Sequence, residues 1–443
     1  MAYQEYRIDK IALSSDSLLL HAIVTFFLGA LLLLRPHLMS DLFAILICCL
    51  LAASGCAGLF AFLFGKKQEV RNIRQLAIAA ISLPLAWFAY RVPRRAVTVL
   101  PLAIGVGALM SGFLHFVTCY LQRRNNEWVG IHGYFLGLLS VLLGGLLIIW
   151  PVALTDTAVV LAGIYCLMSA VTQYWDYLEE IRPSERPRRL WRRVRVERPS
   201  ALMMLIPRSA QRKIDRRWEE LSRQRPEKSE DTEKKSEDTE KPDFEIFIHA
   251  TGKGLGTVGH MDFCFEDTVS TYGPYDFATH RMGGLICNGV LAVVKGRDRY
   301  LDFCTSYSQK TIFCYGLRLN PEQKEQVRGK IEELMKQVRP WQPTGKKRLR
   351  RFKVDYAEVL RDQLGASLYQ FVRGEFQTYF MGGTNCAVLC DRIIGTLGTD
   401  ILSPGILLTP GAYYNYLDRQ YNKDDGLVVS KKVCRAEQAT DQA

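Results

Sequence analysis

Two residues in this chain have the types and settings for thiol chemistry: Cys386 and, far upstream, His260. The stretch Gly382 to Arg392 runs from a glycine-rich turn through Thr384 and Asn385, both favourable helix-start residues, into an apolar-periodic run ending near Gly395. This predicts Cys386 in the first turn of a helix, where unpaired N–H groups and the helix dipole favour a thiolate. A thiol also needs a base, and an alternating strand opening at His260 could supply one. A third group should orient the imidazole. Tyr272 is the candidate, with Asp276 or Asp262 in reserve. Asp262 shares the His260 face by strand alternation, though it could equally be a solvent-facing carboxylate. Cys390, one turn beyond Cys386, reads as packing, and packing is also the plain alternative for Cys386 itself.

The elements that must hold these groups lie in the polar second half. Phe244–His249, His260–Phe265, Val269–Tyr272 and Val290–Lys295 read as strands, and Pro321–Gln337 and Tyr356–Phe371 as helices. Together they predict an α+β domain with a small, mostly antiparallel sheet. The glycines at 252, 254 and 256 fit neither GxxxxGK[ST] nor a strand–GxGxxG–helix context, so a flexible loop is expected there.

The first half is of another kind. Ser17–Leu34, Leu42–Phe64, Leu76–Tyr90, Val97–Leu121, Val129–Trp150 and Thr157–Tyr174 carry almost no charge, and predict six membrane helices. Charged residues are mixed through Met1–Asp16, which does not read as a signal peptide. Pro36, Pro93 and Pro151 fall in short connections 57 and 58 residues apart. Each is followed eighteen residues later by a small pair: Ser54-Gly55, Ser111-Gly112 and Ser169-Ala170. That regularity predicts three duplicated helical hairpins with close helix contacts at the small pairs. His21 and His115 are each alone in an apolar segment and suggest inter-helix hydrogen bonds. Five cysteines lie in these segments and seven elsewhere, none in CxxC spacing, which fits a reducing compartment and no zinc site.

Between Arg182 and Arg217 stand thirteen Arg/Lys against Glu185, Glu197 and Asp215, a net of +10 in a chain of +12. Such a block resists translocation, so both termini and the second half are expected in the cytoplasm. Interleaved with Leu190, Trp191 and Leu202–Ile206, it suits a surface segment on anionic lipid head groups rather than on nucleic acid. Lys228–Lys241 is the heptapeptide KSEDTEK twice over, a solvated tether. A second basic cluster, Lys346–Arg351, faces either the membrane or solvent.

Two resemblances attach to these patterns. The threefold hairpin over residues 15–180 resembles the HdeD-like family of small bacterial membrane proteins, loosely associated with acid resistance. Further on come Gly259-His260, Tyr272-Gly273-Pro274-Tyr275-Asp276-Phe277, Leu319-Asn320-Pro321-Glu322-Gln323-Lys324, Tyr379-Phe380 and Asn385-Cys386, with Asp391-Arg392 following. That succession, over residues 244–420, resembles the permuted papain-like group that includes the Lnb-type lipoprotein N-acyltransferases. Its wider plan of His first and Cys last is similar to the lecithin–retinol acyltransferases and the lipid-handling NlpC-like hydrolases. The chain departs from the pattern after Cys386, where Ala-Val-Leu replaces a polar Ala-Thr-Arg type of run.

The expectation is a multidomain chain: an all-α polytopic bundle of three hairpins (1–180), a basic segment and linker (181–242), an α+β permuted papain-like domain (243–425) and a tail (426–443). With the resemblance, the site implied is Cys386, His260 and Tyr272, acting through a thioester on an acylated or peptide substrate at the inner (plasma) membrane. No cofactor, metal or nucleic acid is expected, and the lipid bilayer is the partner. The rival expectation is a non-enzymatic membrane scaffold whose papain-like domain binds a ligand through a degenerate site.

Overall fold

The computed structural model describes residues 3–8, 10, 15–64, 69–127, 129–181, 194–195, 209–210, 212, 241–250, 259–343, 356–399, 401–402, 408–423 and 426–436. Most of the basic segment, the KSEDTEK repeats, the 252–256 glycines and the 346–351 cluster lie outside the described residues. The chain divides into two compact units: Asp16–Phe116 with Gly130–Tyr177, and Met1–Ser15 with Val117–Val129 and Leu178–Ala443.

The first unit is helical, and among the described residues six helices are long and apolar enough to cross a membrane. They are α1 (Ser15–Leu34), α2 (Pro36–Phe64), α3 (Glu69–Arg91), α5 (Val99–Arg124) with the short α4 (Pro93–Ala96) before it, α6 (Ile131–Ile149) and α7 (Thr155–Ile181). Pro36 and Pro93 open their helices, where a missing N–H costs nothing.

The close approaches at Gly55, Gly112 and Gly163 run between hairpins. A Cβ on Gly55 of α2 would stand 2.6 Å from Leu83 of α3, and one on Gly112 of α5 would stand 2.8 Å from the Gly137 carbonyl of α6. A Cβ on Gly163 of α7 would stand 3.1 Å from the Gly29 carbonyl of α1, so the sixth span returns to the first. The Ser54-Gly55 and Ser111-Gly112 pairs thus mark close approaches, to the neighbouring repeat. His21 and His115 correct another expectation: each ring approaches a carbonyl four residues back in its own helix, Ser17 at 2.6 Å and Ser111 at 3.1 Å.

The second unit is built on a nine-stranded antiparallel sheet. Its strands are β1 (Tyr3–Arg7), β3 (Phe244–Ala250), β4 (His260–Phe265), β5 (Thr268–Gly273), β7 (Val290–Lys295), β8 (Thr311–Leu317), β9 (Val338–Pro340), β10 (Ser367–Phe371) and β13 (Val428–Ala436), in the order β1-β13-β8-β3-β4-β5-β7-β10-β9. Two small pairs flank it: β6 (Ile286–Asn288) with β11 (Thr378–Phe380), and β2 (Val194–Arg195) with β12 (Ile401–Leu402). Strand alternation separates two cores. Ile246, Ile248, Met261 and Phe313 pack with Ala387, Leu389 and Ile393, whereas Phe247, Cys264, Val294 and Cys314 pack with Leu301 and Leu360.

Three features differ from the expectation. The sheet is larger, because the chain start supplies its edge strand: Tyr3–Arg7 pairs with Ala436–Lys432. Residues 428–436 are accordingly a strand, not a tail. The predicted helix Tyr356–Phe371 ends at Leu364, and Ser367–Phe371 is strand β10. Gly365 at φ +64° stops the helix, and the following alternation pairs with β7.

Candidate active site

Asn385 starts the Cys386–Ile394 helix by accepting hydrogen bonds on its side-chain oxygen from the Ala387 and Val388 N–H groups, at 2.9 and 3.1 Å. Its amide donates to the Met381 and Leu408 carbonyls, both at 3.0 Å, which fixes the turn ahead of the helix. Thr384 adds a bond from its hydroxyl to the Thr378 carbonyl at 2.7 Å. Cys386 therefore occupies the first helical position, with only 3% of its surface exposed.

His260 enters from β4, after Gly259, whose φ of +90° favours glycine. The structure brings Cys386 near enough to His260 for its charge to bear on the imidazole. His260 Nε2 stands 2.8 Å from Asp262 Oδ1 and shares a hydrogen bond with Thr271 Oγ1 at 2.9 Å. The Thr271 hydroxyl is in turn 2.7 Å from that of Tyr275. Asp262 is fully buried and also meets His249 Nε2 at 2.7 Å and accepts from Tyr300 OH at 2.6 Å. The imidazole approaches to the carboxylate are close but off-line, leaving Asp262 Oδ1 and both His249 nitrogens without an oriented bond. Charge, more than hydrogen-bond direction, ties the His260 ring to Asp262.

The electrostatics follow. Burial alone would push Asp262 up, but the His260 and His249 imidazoles outweigh it and hold the carboxyl well below its usual range. Burial alone would push His260 down; Asp262, and then Cys386, outweigh it and raise the imidazole to about 10. Around the thiol, burial pushes Tyr379 and Tyr272 well above the usual phenol range. Cys390 is pushed up by burial and points to the Met261 carbonyl at 3.7 Å.

The structure does not set Tyr272 against the imidazole. Its hydroxyl donates to the Phe376 carbonyl at 2.9 Å, and its ring packs edge-on to Phe371 and Phe376. Asp276, the other reserve, accepts amide hydrogens from Asn288 and Gln370 at 3.3 and 3.2 Å. Asp262 is the carboxylate that meets His260. His249 and Tyr300 were not anticipated, although alternation already puts His249 on the face of Phe247 and opposite His260 in register. Among the described residues no group of three or more His, Cys, Asp and Glu is placed to hold a metal ion.

Comparison with known proteins bears on the other unit. Residues 20–91, 76–148 and 135–193 each match the short repeat of unknown function, DUF308. This is a membrane protein with a DUF308 region. The three matches agree with the hairpin period, and with six membrane-capable helices they support the HdeD-like reading of the DUF308 region. No curated protein matches the chain, and no solved structure does. Following the DUF308 region, the sheet-rich unit stands on its geometry alone.

Proposed function

We propose that the sheet-rich unit is a permuted papain-like thiol enzyme that passes an acyl group through Cys386. The observation that carries this reading is the meeting of a helix-start cysteine with His260, itself held against the buried Asp262. In the first step the Cys386 thiolate attacks the carbonyl carbon of an amide or ester. A C–S bond forms, the C–N or C–O bond breaks, and His260 gives its proton to the departing amine or alcohol. In the second, water or an amine attacks the thioester, His260 takes its proton, and the thiolate leaves. The Cys386 N–H at the helix start serves the oxyanion in both steps. Asp262 replaces Tyr272 as the group that orients the imidazole.

Substrates are acylated or peptide molecules at the bilayer surface, because the DUF308 region and the +10 segment keep the unit near anionic lipid. Both termini and the enzyme unit lie in the cytoplasm. Six crossings would leave β1 and β13 on one side of the bilayer, and their pairing in one sheet supports that reading.

The test is labelling of the full chain in vesicles with a limiting dose of a thiol-reactive probe, read by mass spectrometry. Selective modification of Cys386 over the six other cysteines that follow residue 181, and an acyl adduct on it with an acyl donor, support the enzyme. The 3% exposure of Cys386 favours one other reading, a closed ligand-binding domain on a membrane scaffold. Indifferent labelling, with no adduct, establishes that reading instead.

A further inference from the structure

Val117–Val129, the end of α5 and the residues after it, belongs to the sheet-rich unit. The helix is firmly closed there. Asn126 turns left-handed at φ +58°, its N–H reaches the Arg123 carbonyl at 3.2 Å, and the Glu127 N–H reaches that of Gln122 at 2.9 Å. Asn125, just before the reversal, is fixed by this closure and only 4% exposed. Both arms of its amide are used on the segment that leads to Cys386. The oxygen accepts from the Thr378 hydroxyl at 2.9 Å, and the nitrogen donates to the Glu375 carbonyl at 3.4 Å.

From these two residues the bonds run on to the helix of the thiol. The Thr378 carbonyl accepts from the Thr384 hydroxyl at 2.7 Å, and the Thr384 carbonyl accepts from the Phe380 N–H at 3.1 Å. Next in the chain is Asn385, the cap of the Cys386–Ile394 helix. The Glu375 carboxylate pairs with Arg392 in the last turn of the same helix. A second contact lies about two turns back along α5, on the same face. A Cβ on Gly383 would stand 2.9 Å from Thr118 Oγ1, and that buried hydroxyl has no hydrogen-bond partner.

We propose that the end of α5 latches the Cys386 turn: Asn125 and Thr118 are positioning residues that hold residues 375–385 in the arrangement that buries the thiol. The latch deepens the thiol-enzyme reading and rests on it for any part in catalysis; its hold on the turn shows without turnover. Cys386, at 3% exposure, meets a reagent only when the turn opens, so its modification rate follows that opening. A membrane-capable helix therefore sets how readily the thiol is reached.

The experiment is alkylation of the full chain in vesicles by iodoacetamide at one pH, resolved by site with mass spectrometry. Asn125→Ala removes both bonds to the segment and should speed Cys386 labelling by about twofold to tenfold. Thr378→Val should act in the same direction. The double variant should match Asn125→Ala, because the two changes break one shared bond. Arg124→Ala, exposed and one residue away, should change nothing. Cys390 and Cys264, both buried, should stay protected in every variant, which separates a local opening from a loosened fold. Thr118→Cys combined with Gly383→Cys tests the contact itself. Mild oxidation should bridge the two introduced thiols, and the bridge should slow Cys386 labelling again in the Asn125→Ala background.

The latch is refuted if Asn125→Ala leaves the Cys386 rate unchanged, if Cys390 and Cys264 become reactive along with it, or if no bridge forms. If the latch behaves as expected but an acyl donor leaves no adduct on Cys386, the thiol-enzyme reading fails and the latch stands. The two failures are therefore distinct.

Discussion

Glu5 on the first strand and Arg297 on the far side of the chain form an ion pair at 2.7 Å. The same guanidinium binds Glu245 on β3 and Asp298, so one largely buried cation ties β1 to the body of the sheet. Tyr3 adds a hydrogen bond to Asp298 at 2.9 Å, and Tyr421 donates to the Ile8 carbonyl. Residues 3–8 are a structural part of the sheet whose next strand along the chain is β3 at Phe244. A fragment of residues 243–443 leaves β13 as an open edge and Arg297 short of a partner. It should melt at lower temperature than a version with residues 1–10 joined to it, and Glu5→Ala in the full chain should cost about 1–2 kcal/mol. Equal melting temperatures for the two fragments would show that β1 contributes nothing.

The same pair sets a pH dependence. Burial alone would raise the Glu5 carboxyl, but Arg297 and then Lys432 outweigh it and hold it below its ordinary value of 4.5. A depressed carboxyl contributes stability fully present above its unfolded value and lost as pH falls through the folded value. Stability should therefore hold above pH 4.5 and decline below it, and Glu5→Gln should flatten that decline. Thermal melts of both proteins between pH 3 and pH 7 measure the difference. Parallel curves would rule the pair out as its cause.

Cys386 and His260 should behave as one unit. Cys386→Ser keeps the shape and loses the thiolate, so folding should survive while turnover falls by a factor of about a thousand or more. His260→Ala should lose nearly as much, and the double variant little beyond either, because groups acting together are not additive. Cys390→Ala and Cys264→Ala, both buried, should change stability and leave turnover. Full turnover in Cys386→Ala would leave the unit a binding domain.

Topology can be read from reporters. Alkaline phosphatase fused after Ala443 should be silent, and fused between Trp150 and Thr155 it should be active. The opposite pattern would move the sheet-rich unit out of the cytoplasm.

Helix approach in the DUF308 region predicts a graded series. Gly112→Ala and Gly144→Ala push a methyl to 2.8 and 2.7 Å from a neighbouring carbonyl, and should each lower stability in detergent by about 1–3 kcal/mol. Gly107→Ala and Gly145→Ala meet nothing within 4 Å and should be neutral or mildly stabilising. A uniform response would mean that these helices do not pack at their glycines.

Local signals carried much of this molecule. The Asn385 cap, the strand at His260–Phe265, the Asn320 capping box and the proline-spaced hairpins are written in neighbouring residues, because caps, alternation and helix length depend on short-range chemistry. That Asp262 shares a face with His260 was legible for the same reason. Other features depend on partners distant in sequence. Ser367–Phe371 became a strand because β7 and β9 offered edges for it, which no periodicity within Tyr356–Phe371 discloses. Tyr3–Arg7 became a strand because β13, more than 400 residues away, needed a neighbour. The choice of Asp262 over Tyr272 as the partner of His260, and the arrival of His249 and Tyr300 at the same carboxylate, were decided only by the tertiary structure. A buried charge must be compensated by whatever groups the surrounding elements bring to it, and sequence spacing does not fix which those are.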